Sequence, residues 1–105
     1  MSTIYVDVRD LRDFAQARIR GALVLRKSPS LIRQLAENKI NTASVIIDRD
    51  NLWANQNYTV VCYPSHPDLA AISQAIAREG RRVRVLDVDF DTYAANHPEL
   101  IERRP

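Results

Sequence analysis

One thiol governs the chemistry open to this chain. Cys62 is its single cysteine, which excludes an internal disulfide and every multi-cysteine metal site while leaving the sulfur free to react. It ends the β-rich run Thr59-Val60-Val61-Cys62, ahead of Tyr63-Pro64-Ser65-His66-Pro67. Asp68 then stands where it can cap a helix carrying Leu69, Ile72 and Ile76. Strand, short loop and helix N-terminus together bring a sulfur toward converging backbone N–H groups and the positive end of a helix dipole. Both favour thiolate over thiol and stabilise a bound anion, which suits a cysteine that forms a persulfide or attacks a phosphate. A small buried apolar side chain is the plain structural alternative. His66, when protonated, could help to hold an anion, although a loop histidine is more often simply exposed. No metal, nucleotide or organic cofactor is implied.

The elements that must position this loop follow from periodicity. Ile4-Tyr5-Val6-Asp7-Val8 alternates as a strand does, with Asp7 on the face opposite Val6 and Val8. Asp10 offers an N-cap to a brief helix bearing Leu11, Phe14 and Ala15 and ending near Ala17, and Gly21 breaks the pattern. Ala22-Leu23-Val24-Leu25 reads as a second strand and Lys27-Ser28-Pro29 as the loop leaving it. Ser30 can cap a helix with Leu31, Ile32 and Leu35 at core-facing spacing through about Asn38.

Residues 39–57 are the least legible. Val45-Ile46-Ile47 fits either a strand or the buried face of a helix, Trp53 is expected to pack locally, and Asn51, Asn55 and Asn57 suggest turns. Gly80 sits where a helix C-cap glycine belongs, Val83–Leu86 reads as a further strand, and a last helix over 91–96 stops before Pro98. Strands alternating with helices predict an α/β domain with a mainly parallel sheet, whose functional groups gather outside the C-terminal strand ends.

Composition narrows the class. The 105 residues are one domain's worth of chain, so a single domain over 1–105 is expected. With 46% hydrophobic and 27% charged residues, two Gly and five Pro, the chain is composed to bury a core. Its apolar runs are far shorter than the roughly 20 residues that span a bilayer, and its first residues lack a basic and apolar leader pattern. No membrane association and a cytoplasmic location are therefore expected. Net charge is only +2 although 13 of the 15 basic residues are Arg. Arg12, Arg18, Arg20, Arg26 and Arg33 are interleaved with Asp10, Asp13 and Glu37, and Arg81, Arg82 and Arg84 are assigned to a loop and the solvated positions of a strand. No nucleic-acid surface is expected.

Read in order, Ile4-Tyr5-Val6-Asp7-Val8-Arg9, Asp13-Phe14-Ala15 and Ile19-Arg20-Gly21-Ala22 resemble the opening of the rhodanese-like family. Tyr58–Cys62 resembles the strand before its active-site loop, Leu69–Gly80 its following helix, Val83–Phe90 its next strand and turn, and His97-Pro98-Glu99-Leu100 its C-terminal ending. The resemblance implies a three-layer α/β/α fold with a central, mostly parallel sheet. It implies a sulfurtransferase or sulfur carrier that takes sulfane sulfur from a donor anion such as thiosulfate onto Cys62 as a persulfide. A thiol or cyanide-like acceptor then receives it. By position, Tyr63, Ser65, His66 and Asp68 form the active-site loop, and Asp7 and Arg9 match the family's structural Asp-x-Arg pair.

The loop departs from the family pattern. It contains neither the usual glycine nor a basic residue other than His66, Pro64 and Pro67 remove two possible amide donors, and Asp68 brings negative charge toward an anion site. Counting back from Gly80 with the common family spacing puts Tyr63 at the catalytic position, whereas keeping Cys62 there requires one extra loop residue. Without an arginine in the loop nothing clamps a phosphate bidentately, so phosphatase chemistry is disfavoured. The family's Gly-His has become Ala17-Arg18 and its double glycine before Phe90 has become Val88-Asp89. A second reading follows: a catalytically inactive rhodanese-like domain acting as a binding or regulatory module with a protein partner.

Overall fold

The computed structural model describes residues 3–26, 28–47, 53, 59–63 and 68–104, with 59–62 described by their backbone. Five strands form the main sheet in the order β4-β3-β1-β5-β6. They are β1 (Thr3–Asp7), β3 (Leu23–Leu25), β4 (Ile46–Ile47), β5 (Thr59–Cys62) and β6 (Arg82–Val85). The β1/β3, β1/β5 and β5/β6 pairs are parallel, and the short edge strand β4 runs antiparallel to β3. A second, two-stranded antiparallel sheet pairs β2 (Ala17–Ile19) with β7 (Ile101–Arg103). The helices are α1 (Leu11–Gln16), α2 (Pro29–Ala36), α3 (Leu69–Arg78) and α4 (Phe90–Asn96). The class is α/β, with a central sheet of mostly parallel pairing.

Strand alternation divides the interior into two cores. Ile4, Val6 and Val8 pack with Leu23 and Leu25 against Ile32 and Leu35 of α2 and Ile72, Ala75 and Ile76 of α3. The other face is smaller and more aromatic, with Tyr63, Phe90 and Ala94 of α4, and Ala17, Ile19 and Ile101 of the β2/β7 ribbon. The layer opposite α2 and α3 is thus a helix and a ribbon side by side. Helix α1 has no buried residue, so its short apolar stripe contributes little to either core.

Both long helices end by the same device. After α3, Gly80 at φ 85° lets Gly80 N donate to Ala77 O (3.1 Å) and Arg81 N to Ile76 O (3.3 Å), the paired bonds of a Schellman motif. After α2, Asn38 at φ 61° does the same, with Asn38 N to Leu35 O (3.1 Å) and Lys39 N to Gln34 O (2.9 Å). The start of α2 lies upstream of the expected Ser30 cap, because Pro29 occupies the first helical turn, where its missing N–H is no loss. Ser30 instead lies inside the helix, and its Oγ accepts from Gln34 Nε2 at 3.1 Å.

Of the least legible stretch, residues 39–47 and Trp53 are described, and the turns expected at Asn51, Asn55 and Asn57 lie outside the described residues. Val45 closes a 3-10 turn over Thr42–Ser44, and Ile46–Ile47 form β4. Trp53 is buried in the larger core, and its Nε1 donates to Thr42 Oγ1 at 2.7 Å. Thr42 N and Oγ1 in turn donate to the Glu79 carboxylate at 2.9 and 2.7 Å. Arg81 was expected among solvated charges, yet its side chain is only 8% exposed. It donates to Glu79 Oε1 at 2.8 Å and to Trp53 O at 2.7 Å, with its guanidinium 4.7 Å from the Trp53 ring centroid. No helix among the described residues is long and apolar enough to cross a membrane.

Glu79 therefore satisfies two donors of buried Thr42 and the charge of Arg81 at once. Removing one acceptor that leaves buried donors unpaired costs roughly 1–3 kcal/mol. Glu79→Ala is expected to lower the unfolding free energy by about 2 kcal/mol or more in urea titrations. Glu79→Gln should lose less, since its amide oxygen still accepts one bond.

Candidate functional site

The C-terminal ends of β1 and β5 meet around a buried carboxylate. Asp7, the last residue of β1, is wholly inaccessible. Its Oδ1 accepts from Arg9 N (2.9 Å) and Arg9 Nε (3.0 Å), and its Oδ2 from Arg9 Nη2 (2.7 Å). The same Nη2 donates to Ala17 O at 2.6 Å, tying the start of β2 to the end of β1. The flat face of the guanidinium lies 3.8 Å from the Phe90 ring centroid and 5.6 Å from that of Tyr63. Arginine suits this place because its planar fork can bond edge-on while it stacks face-on.

Tyr63 is the residue at which the chain leaves β5, and it too is fully buried. Its backbone N donates to Val6 O at 3.1 Å, carrying the contact with β1 one residue beyond the strand. Its phenol oxygen accepts from Ile19 N at 2.9 Å, and its ring stacks on Phe90 with centroids 5.8 Å apart. Burial pushes the phenol well above the ordinary tyrosine range, and the negative charge of Asp7 adds to this; the bond from Ile19 and the charge of Arg9 oppose it. This hydroxyl is a structural pin, holding a proton at any physiological pH.

Cys62 is the last residue of β5, and its Cα is paired with Val6 on one side and Val85 on the other. Asp68 immediately precedes α3, and its carbonyl accepts from Ile72 N at 3.1 Å. Its backbone is already helical (φ −82°, ψ −4°), so its side chain makes no capping bond to the first turn. The side-chain cap expected at Asp10 is likewise not formed. Ser65 and His66 lie outside the described residues. The structure thus brings Asp7, Arg9, Tyr63 and the backbone of Cys62 to one end of the sheet. Among the described residues no group of His, Cys, Asp and Glu could hold a metal ion.

Two contributors escaped the sequence reading. Phe90 is the platform beneath both Arg9 and Tyr63, and Asp89 caps α4, its Oδ1 accepting from Thr92 N at 2.7 Å. That bond holds the Asp89 carboxyl below its ordinary value. Asp89-Phe90-Asp91-Thr92 carried the capping signal, an aspartate three residues before a turn-forming donor.

Tyr63→Phe leaves the Ile19 N–H unpaired in the smaller core, and a loss of about 1–2 kcal/mol is expected by chemical denaturation. The pH dependence has a defined sign. A tyrosine whose pKa is raised by folding contributes stability that is complete below the unfolded value near 10 and is lost as pH rises above it. The parent protein should therefore lose stability above pH ~10 more steeply than Tyr63→Phe, as read from urea midpoints across that range.

Comparison with known proteins agrees with the geometry. The family model of the rhodanese-like domain matches residues 2–96. Among solved structures, the BH2092 protein of Bacillus halodurans superposes with a TM-score of 0.59 at 20% identity, covering 91% of this chain. The match takes in 61% of that protein, so the chain spans about three-fifths of its length, and the likeness is one of fold. No curated protein matches the chain significantly. A five-stranded, mainly parallel sheet with the Asp7–Arg9 pair at its C-terminal edge, matched by the family model over nearly its whole length, places this chain in the rhodanese-like family.

Proposed function

We propose that this rhodanese-like chain is a binding or regulatory module that does not turn over sulfur. The observation that carries the reading is Tyr63. By the family spacing counted back from Gly80, this is the position of the sulfur-bearing cysteine, and here it holds a fully buried aromatic ring bonded through its hydroxyl to Ile19 N. A phenol kept protonated by burial and by Asp7 cannot serve as a nucleophile at neutral pH. Cys62, one residue earlier, belongs to the strand, with Cα partners on both β1 and β6. On this reading the Asp7, Arg9 and Tyr63 cluster is retained for its architecture, and fold alone does not confer the activity.

A second reading rests on a different observation: the one thiol of the chain stands at the C-terminal end of a central parallel strand, a few residues ahead of α3. There the Cys62 thiolate would attack the outer sulfur of thiosulfate. A Cys–S bond forms, the donor's S–S bond breaks with sulfite leaving, and an acceptor thiol or cyanide then takes the sulfur from the persulfide.

Intact-mass spectrometry of the folded protein before and after thiosulfate, with and without cyanide, separates the two. The expected result is no added sulfur, with Cys62 alkylated by iodoacetamide only after denaturation. A gain of one sulfur on Cys62 that cyanide removes, and that Cys62→Ser abolishes, would overturn the proposal and establish the second reading.

A further inference from the structure

A cavity of about 480 Å³ opens between α1, α4 and the β2/β7 ribbon. It falls within the usual size of small-ligand sites, roughly 300–1,000 Å³. Its apolar lining comes from Ala17, Phe90, Ala94 and Ala95. Its walls hold Asp13, Asp91, Arg103 and Arg104. None of these four side chains has a hydrogen bond, or an ion pair within 4.0 Å, among the described residues. Arg9 also borders the cavity, but its charge is already neutralised by Asp7.

Two cations and two anions thus face one concavity without neutralising each other. Asp13 and Asp91 stand in the first turns of α1 and α4, while Arg103 ends β7 and Arg104 follows it. That end is pinned by the pairing of Arg103 with Ala17 and by the bond from Arg104 N to Gln16 O at 2.9 Å. A simple anion would meet the arginines with two carboxylates nearby, and a simple cation would meet the reverse. A molecule bearing both signs meets groups of either sign and lays its apolar part on the alanine and phenylalanine lining.

We propose that the cavity between α1, α4 and the β2/β7 ribbon binds a zwitterion of dipeptide size, its ammonium toward Asp13 and Asp91 and its carboxylate toward Arg103 and Arg104. The assignment stands whether or not Cys62 carries sulfur, since none of these residues belongs to the β5 exit.

The test is an amide chemical-shift titration of the full chain with alanylalanine, its N-acetylated form, its C-terminal amide, and inorganic phosphate. Alanylalanine is expected to shift Ala17, Ala94, Ala95 and Arg103 saturably, with affinity falling as salt is added. Asp91→Asn and Arg104→Gln should each weaken it about five-fold, the scale of one solvent-exposed charge pair. Both side chains are exposed, so an unchanged amide spectrum elsewhere certifies the fold of each variant. Equal binding of either capped form overturns the proposal, as does the same shift pattern with phosphate alone, or no saturable shift at the cavity.

Discussion

A carboxylate cannot be buried cheaply. Desolvating one costs several kcal/mol unless a cation and good hydrogen bonds compensate, and Asp7 is sealed completely at the end of the central strand. Arg9 answers it from two residues away, closing a turn that fixes how the chain leaves β1. The guanidinium still has donors and two flat faces to satisfy. One donor reaches Ala17 O, which sets the start of β2, and one face lies on Phe90, which sets the start of α4. Such a pair is weak evidence for net stability, because apolar residues could fill the same volume. Its consequence is positional: the exit of β1, the entry of β2 and the first turn of α4 are located by one ion pair.

The two faces of the sheet are accordingly held by different forces. Toward α2 and α3 the contacts are aliphatic, and a polar clasp of Thr42, Glu79, Arg81 and Trp53 closes them at one end. Toward α4 and the β2/β7 ribbon the contacts are aromatic and seamed with directed bonds, Tyr63 to Ile19 and Arg9 to Ala17. Directed bonds suit that face, because β2 and β7 are three residues each and bury too little apolar surface to be positioned by packing alone.

This division explains what could be read from the sequence. Ile4-Tyr5-Val6 and Ile72 with Ile76 declare their elements by period, because one face of each is aliphatic and buried. Gly80 declared its turn because φ 85° is a conformation that glycine reaches without strain. Ala17-Arg18-Ile19 and Ile101-Glu102-Arg103 declared nothing. They are too short to show alternation, and what makes them strands is each other, across more than eighty residues of chain. Arg18 and Glu102 form an ion pair across that ribbon, a contact invisible to any local window. Arg81 misled for the same reason: its burial depends on Trp53 and Glu79, brought together by tertiary structure. At the candidate site, Asp7 and Arg9 could be picked out as a pair, but the sequence could not show that Tyr63 is spent as a pin, since its partner Ile19 lies on one of the silent strands.

That pin also bears on the register ambiguity between Cys62 and Tyr63. Side chains alternate along a strand, so a one-residue slip of β5 would carry Tyr63 to the opposite face of the sheet. The slip would forfeit the stack on Phe90, leave Ile19 N without its acceptor, and place a phenol among the aliphatic side chains packed under α3. Each loss is of the order of 1 kcal/mol or more, and they add in the same direction. At the other end, the Schellman motif at Gly80 and the seating of Ile72 and Ile76 fix α3 just as firmly. A cysteine in place of Tyr63 would remove the pin along with the phenol, and a compensating acceptor for Ile19 N would be needed to keep β2 in place.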